Sequence, residues 1–81
     1  MIIEILSLGS RVLDTKFKDY ERYGIREYWI MEPNHVISSQ FYTLEDGKYH
    51  EFFPENHIIH SKIVTGFTVN LKALEQKLKG Y

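Results

Sequence analysis

The chain has 81 residues, 43% of them hydrophobic, a formal net charge of -1 and no cysteine. That length fits one small domain burying roughly 60 to 65% of its unfolded surface, and the missing cysteines exclude a disulfide framework and any Cys-based zinc site. The charge balance lacks the basic excess of a dedicated nucleic-acid binder, and nothing approaches the ~20 apolar residues of a membrane span.

The opening MIIEIL is too short for a signal h-region, lacks a basic n-region and contains Glu4, so a cytoplasmic chain with no membrane partner is expected. Ile2 to Leu6 is a near-continuous branched apolar run, which predicts a strand covered on both faces with Glu4 between apolar neighbours. Ser7 to Leu13 reads as a loop, and Asp14 or Thr15 is placed to cap the helix that follows. Leu13, Phe17, Tyr20 and Gly24 mark one face of that helix, with Lys18, Asp19, Glu21 and Arg22 mostly opposite. Gly24 fits the left-handed position after the helix, with Ile25 packing back on Tyr20 as in a Schellman ending.

Tyr28 to Met31 reads as the next strand, apolar on both sides, and Glu32-Pro33-Asn34-His35 as a turn. Val36 to Leu44 predicts a longer strand, Glu45-Asp46-Gly47-Lys48 a hairpin loop, and Tyr49 to Phe53 its returning partner. Pro54 to Asn56 breaks the ladder. One or two short strands then span His57 to Val64 and Phe67 to Val69, and Asn70 caps a last helix with Leu71, Leu74 and Leu78 on one face. With no linker or repeat, the expected architecture is one mixed α+β domain over residues 1–81, a mixed sheet flanked by helices. A chain that begins inside a buried-type strand further predicts that the N-terminal part of a larger domain is absent.

The chemistry-bearing residues gather near the start. A carboxylate on an apolar strand, Glu4, precedes a helix with Lys16 in its first turn and Tyr20 one turn later, an arrangement that metal-dependent nucleic-acid chemistry can use. Arg11, Lys16, Lys18, Arg22 and Arg26 make this third of the chain basic, whereas Glu32, Glu45, Asp46, Glu51 and Glu55 make the middle acidic. Arg11, Lys18 and Arg22 are the candidate phosphate contacts, against the alternative of an ordinary solvated helix face. Tyr23, Tyr28 and Trp29 are read as core residues. His50, His57 and His60 lack the spacing of an HExxH or finger motif and are read as solvated or structural.

IIEILS, then KFKDYERYGIREYWIMEP, then LEDGKYH and GFTVNLKAL together resemble the C-terminal half of the putative restriction endonuclease family within the PD-(D/E)XK nuclease superfamily. The most specific part is K-F-x-x-Y-x-x-Y-G-[IV]-x-E-Y-W-[IV], Lys16 to Ile30. The resemblance implies a restriction-endonuclease-like core, Mg²⁺ or Mn²⁺ as cofactor, and DNA as partner. It matches Glu4 to the family's second metal-binding acid. The superfamily pattern places a lysine two residues on, where this chain has Leu6; the family takes its lysine from the following helix, which matches Lys16, with Tyr20 positioning it.

Two departures accompany that match. The Asp of the PD motif lies upstream of the matched region, so a truncated, inactive member is expected unless another chain supplies the missing strand. The loop from Ser7 to Lys16 is a couple of residues shorter than the usual pattern, with Leu8 where proline is common, which predicts that Lys16 does not reach Glu4. Three functions follow from these readings: a Mg²⁺-dependent endonuclease, a catalytically silent homo-oligomer pairing through its exposed N-terminal strand, and a small nucleic-acid-binding module.

Overall fold

The computed structural model of the protein describes residues 1–5, 14–33 and 35–79. The expected loop Ser7 to Leu13, with Leu6, Leu8 and Arg11, lies outside the described residues, as do the side chains proposed as helix caps at positions 14 and 15 and the apolar side chain of Leu78. Within them the chain forms β1 (Ile2–Ile5), α1 (Asp14–Arg22), β2 (Glu27–Met31), β3 (Gln40–Glu45), β4 (Lys48–Phe52), β5 (Ile58–His60), β6 (Thr68–Asn70) and α2 (Leu71–Lys79). A four-stranded mixed sheet runs in the order β1-β2-β3-β4, and β5 pairs with β6 as a second, two-stranded sheet. This is the mixed α+β arrangement expected, compatible with a restriction-endonuclease-like core. No helix among the described residues is long and apolar enough to cross a membrane.

Side chains alternate across the large sheet and divide its residues between two layers. Trp29 and Met31 of β2 and Phe41 of β3 join Val36, Ile59 and Leu71 in the main core, with Phe52, Phe67, Val69 and Leu74 packed around them. Trp29 and Ile59 are fully buried. The opposite face carries an aromatic cluster under α1: the Phe17 ring lies 4.9 Å from Tyr42 and 5.1 Å from Tyr49, both edge-on, and Tyr20 lies 5.0 Å from Tyr28. Edge-to-face contacts of this kind bring ring edges against ring faces, the favourable geometry for their quadrupoles.

Local signals explain the element ends. Gly24 has φ 78°, and the amides of Gly24 and Ile25 donate to the carbonyls of Glu21 and Tyr20 at 3.2 and 3.0 Å. These are the two bonds of a Schellman ending, which needs the left-handed backbone that glycine adopts without a Cβ penalty. The β3–β4 hairpin turns through Asp46 (φ 53°) and Gly47 (φ 78°), the primed geometry that suits the strand twist. Asn70 Oδ1 accepts the Ala73 amide at 3.0 Å, so it caps α2 as its sequence context predicts.

Three expectations are corrected. β1 is not covered on both faces: it has one described neighbour, parallel β2, and Ile3 and Ile5 are 41% and 69% exposed. Its apolar residues satisfy the buried-strand pattern, but α1 packs on the Glu4 face, and the opposite face, which carries Ile3 and Ile5, stays largely open. The strand predicted from Val36 begins only at Gln40, because Val36–Ser38 forms a 3-10 turn. The Ser38 amide donates to the His35 carbonyl and the Ser39 amide to that of Val36, directing Val36 into the core, where 2% of it remains exposed. Tyr23, read as core, is 74% exposed, since it lies past the last α1 residue, beyond the part of the helix that faces the sheet.

The tyrosine layer has a pH signature. Burial, followed by Glu21, pushes the Tyr49 phenol up to about 12; burial and then Glu51 raise Tyr42; burial and then Glu4 raise Tyr28 further still. An unfolded tyrosine loses its proton near pH 10, at roughly its reference value. The folded state holds these protons longer, so their contribution to stability is complete below about pH 10 and is lost as the pH rises through 12 and above. A tyrosinate absorbance titration is therefore expected to show ionisation of these residues coinciding with loss of near-UV circular dichroism, and normal ionisation with the fold intact would contradict it.

Candidate active site

β1 presents Glu4 opposite Ile30 of β2, on the face covered by α1. The helix brings two side chains one turn apart to that carboxylate. Tyr20 Oη donates to Glu4 Oε1 at 2.9 Å, and Lys16 Nζ stands 3.5 Å from the same oxygen. Thus Lys16 reaches Glu4, contrary to the expectation drawn from the short loop: helix periodicity places it on the sheet side with Tyr20. The hydrogen bond to Glu4 is the main reason the Tyr20 phenol is raised above its ordinary value, with burial and the Glu4 charge adding to it.

The environment is half-open. The Glu4 side chain is 24% exposed and that of Lys16 56%, so the group is partly open to solvent. Its electrostatics are those of a carboxylate balanced by one ammonium, with a neutral phenol as a fixed donor. Among the described residues no group of three or more acids or histidines gathers to hold a metal. Glu4 by itself fits one position of a Mg²⁺ shell, which commonly combines one or two carboxylates with waters and substrate phosphate.

The other predicted residues lie apart from this group. Lys18 and Arg22 are exposed on α1, and Arg22 approaches Asp19 at 4.0 Å, a contact worth little at a solvated surface. Arg26 is exposed at the entry to β2. Arg11 lies outside the described residues.

One residue inside the Lys16 to Ile30 stretch was not singled out from sequence. Glu27 is fully buried. Its Oε1 accepts the amides of Lys62 and Ile63 at 2.7 and 3.1 Å and the Ser61 hydroxyl at 3.1 Å. Its Oε2 accepts Trp29 Nε1–H at 2.6 Å. The carboxylate therefore fastens the loop after β5 to the central strand, while Ser61 Oγ accepts the Val64 amide at 2.9 Å. The available signal was an acid at the same strand parity as Trp29, directly ahead of an apolar strand, where a buried charge requires donors.

A family model described as Uma2, putative restriction endonuclease, matches residues 1–72, from β1 into the first turn of α2. No curated protein matches the chain.

Proposed function

The chain belongs to the Uma2 family of putative restriction endonucleases, and from that premise we propose that it is a metal-dependent nuclease acting on DNA, with Glu4, Lys16 and Tyr20 as its centre. The observation that carries this reading is the convergence of Lys16 Nζ and Tyr20 Oη on one oxygen of Glu4, at 3.5 and 2.9 Å. A lysine and a carboxylate brought together at β1, the end of the strand order among the described residues, are the two side-chain types that phosphodiester hydrolysis uses in the PD-(D/E)XK superfamily which the sequence resembles.

In this reading Glu4 holds Mg²⁺ or Mn²⁺, which would polarise a phosphoryl oxygen and make a bound water acidic enough to attack. Tyr20 fixes the carboxylate through its hydrogen bond, so the metal-facing oxygen is held in one orientation. Lys16 places a cation beside the phosphate, where it stabilises charge that grows toward the transition state. A second acid would tighten metal binding, and a strand of a second copy laid along the outer edge of β1 is where it would enter.

The test is incubation of double-stranded and single-stranded DNA with the protein in Mg²⁺ or Mn²⁺. Cleavage that disappears on chelation and in Glu4→Ala is expected. Cleavage that Glu4→Ala leaves unchanged, or its absence in both metals, removes catalysis from this centre.

A further inference from the structure

A cavity of about 430 Å³ opens at the start of β3 and the end of β4, with Gln40, Phe41, Glu51, Phe53, His57 and Lys72 around it. We propose that this cavity receives an unpaired nucleobase of a nucleic-acid strand lying across the Glu4 face. The inference rests on the nuclease reading for the identity of the strand, and four observations carry it.

The first is register. Glu4 pairs with Ile30 and Ile30 with Gln40, so the three side chains share one face and one row of the sheet. Two strand spacings put Gln40 about 10 Å from Glu4, close enough for one strand to engage both. Tyr42 pairs with Glu51, which places Glu51 on that face as well.

The second is the chemistry of the walls. Phe53 is 71% exposed, an aromatic ring offered to solvent, while Phe41 at 2% exposure forms part of the buried floor. A flat ring stacking on Phe53 would cover surface that otherwise faces water, and base stacking on aromatics is tolerant of sequence. The Gln40 amide presents a donor and an acceptor together, the pair that reads a base edge.

The third is charge. Two carboxylates of the lining, Glu51 and Glu75, disfavour a phosphate in the cavity and can accept from an exocyclic amine, beside the lysine of the lining, Lys72. A neutral, flat, amine-bearing heterocycle satisfies this set better than an anion does.

The fourth is strain. Asn56 and His57 have φ 50° and 67° in a two-residue turn whose flanking Glu55 and Ile58 exchange backbone hydrogen bonds of 2.9 Å each. The second position of such a turn favours glycine. A histidine there accepts an unfavourable backbone conformation and places an imidazole on the cavity wall.

The test uses single-stranded oligonucleotides carrying 2-aminopurine, titrated in EDTA so that no cleavage occurs. Quenching of the probe on binding is expected, with Phe53→Ala weakening affinity on the order of tenfold, Gln40→Ala weakening it less, and Phe53→Tyr restoring it. Phe53 is exposed, so thermal unfolding of Phe53→Ala should match the parent. Absence of quenching, or quenching and affinity unchanged in Phe53→Ala, overturns the proposal. Phe53-dependent quenching in EDTA without cleavage in metal supports the base site while the nuclease reading falls. Glu4-dependent cleavage with no effect of Phe53→Ala does the reverse.

Discussion

Glu27→Ala is expected to lower folding stability by about 3 kcal/mol or more, measured as a shift in the denaturant midpoint with little change in slope. The wild-type carboxylate is fully buried and accepts four hydrogen bonds, from Trp29, Ser61, Lys62 and Ile63. Alanine removes the acceptor and leaves the donors. Each buried donor without a partner costs roughly 1 to 3 kcal/mol, and loop amides that relax toward water recover part of it. Against a stability of roughly 4 to 12 kcal/mol for a domain of this size, scaled per residue, the loss is large.

Glu27→Gln separates charge from shape. Glutamine keeps one acceptor oxygen, enough for the amides of Lys62 and Ile63, but turns its NH₂ toward the Trp29 indole N–H, donor against donor. An intermediate loss of about 1 to 2 kcal/mol is expected. Hydrogen exchange locates the effect: the Lys62 and Ile63 amides should lose protection in Glu27→Ala well before those of β2 and β3. A Glu27→Ala protein within about 0.5 kcal/mol of wild type, with those amides still protected, would show that the loop is held by something else.

The same residue shows where the sequence is legible and where it is not. The α1 ending at Gly24, the Asp46-Gly47 hairpin and the Asn70 cap are each closed by residues within a few positions, so their chemistry is visible in a short window. Glu27 meets three of its four partners 34 to 36 residues away, and no local pattern announces donors that arrive from the loop after β5. β1 fails for a related reason. A run of isoleucines specifies a strand, but whether Ile3 and Ile5 are covered depends on the strands beside it, and strand order is a property of the whole sheet. Val36 illustrates a third case, in which burial is correctly signalled and the backbone that achieves it is not: a turn and a strand both direct a β-branched residue inward.

For the candidate site, the residue types and their spacing were legible because Lys16 and Tyr20 occupy one helix face. The distance to Glu4 was not, since it depends on how α1 lies across β1 and β2. The cavity beside Gln40 had no local signature either, being formed by the meeting of β3, β4, the Asn56-His57 turn and α2.

Lys16→Met is expected to reduce metal-dependent DNA cleavage by about 10²- to 10³-fold, the scale on which removal of one preorganised charge-stabilising group acts. Methionine retains the aliphatic length and removes the ammonium. Lys16 is more than half exposed, and its contact with Glu4 is 3.5 Å, so the ion pair adds only about 0 to 1 kcal/mol to stability. The fold should survive the change, which makes rate the discriminating measurement. Tyr20→Phe is expected to act differently: it removes the 2.9 Å hydrogen bond to Glu4 without removing charge, so it should raise the metal concentration needed for half-maximal cleavage and lower the saturated rate by about tenfold or less. A charge-stabilising Lys16 and an orienting Tyr20 therefore separate in a metal titration, the first through the plateau and the second mainly through the midpoint. If both variants shift only the midpoint, Lys16 serves to hold Glu4 rather than to face the phosphate, and the catalytic cation must come from elsewhere on this basic third of the chain.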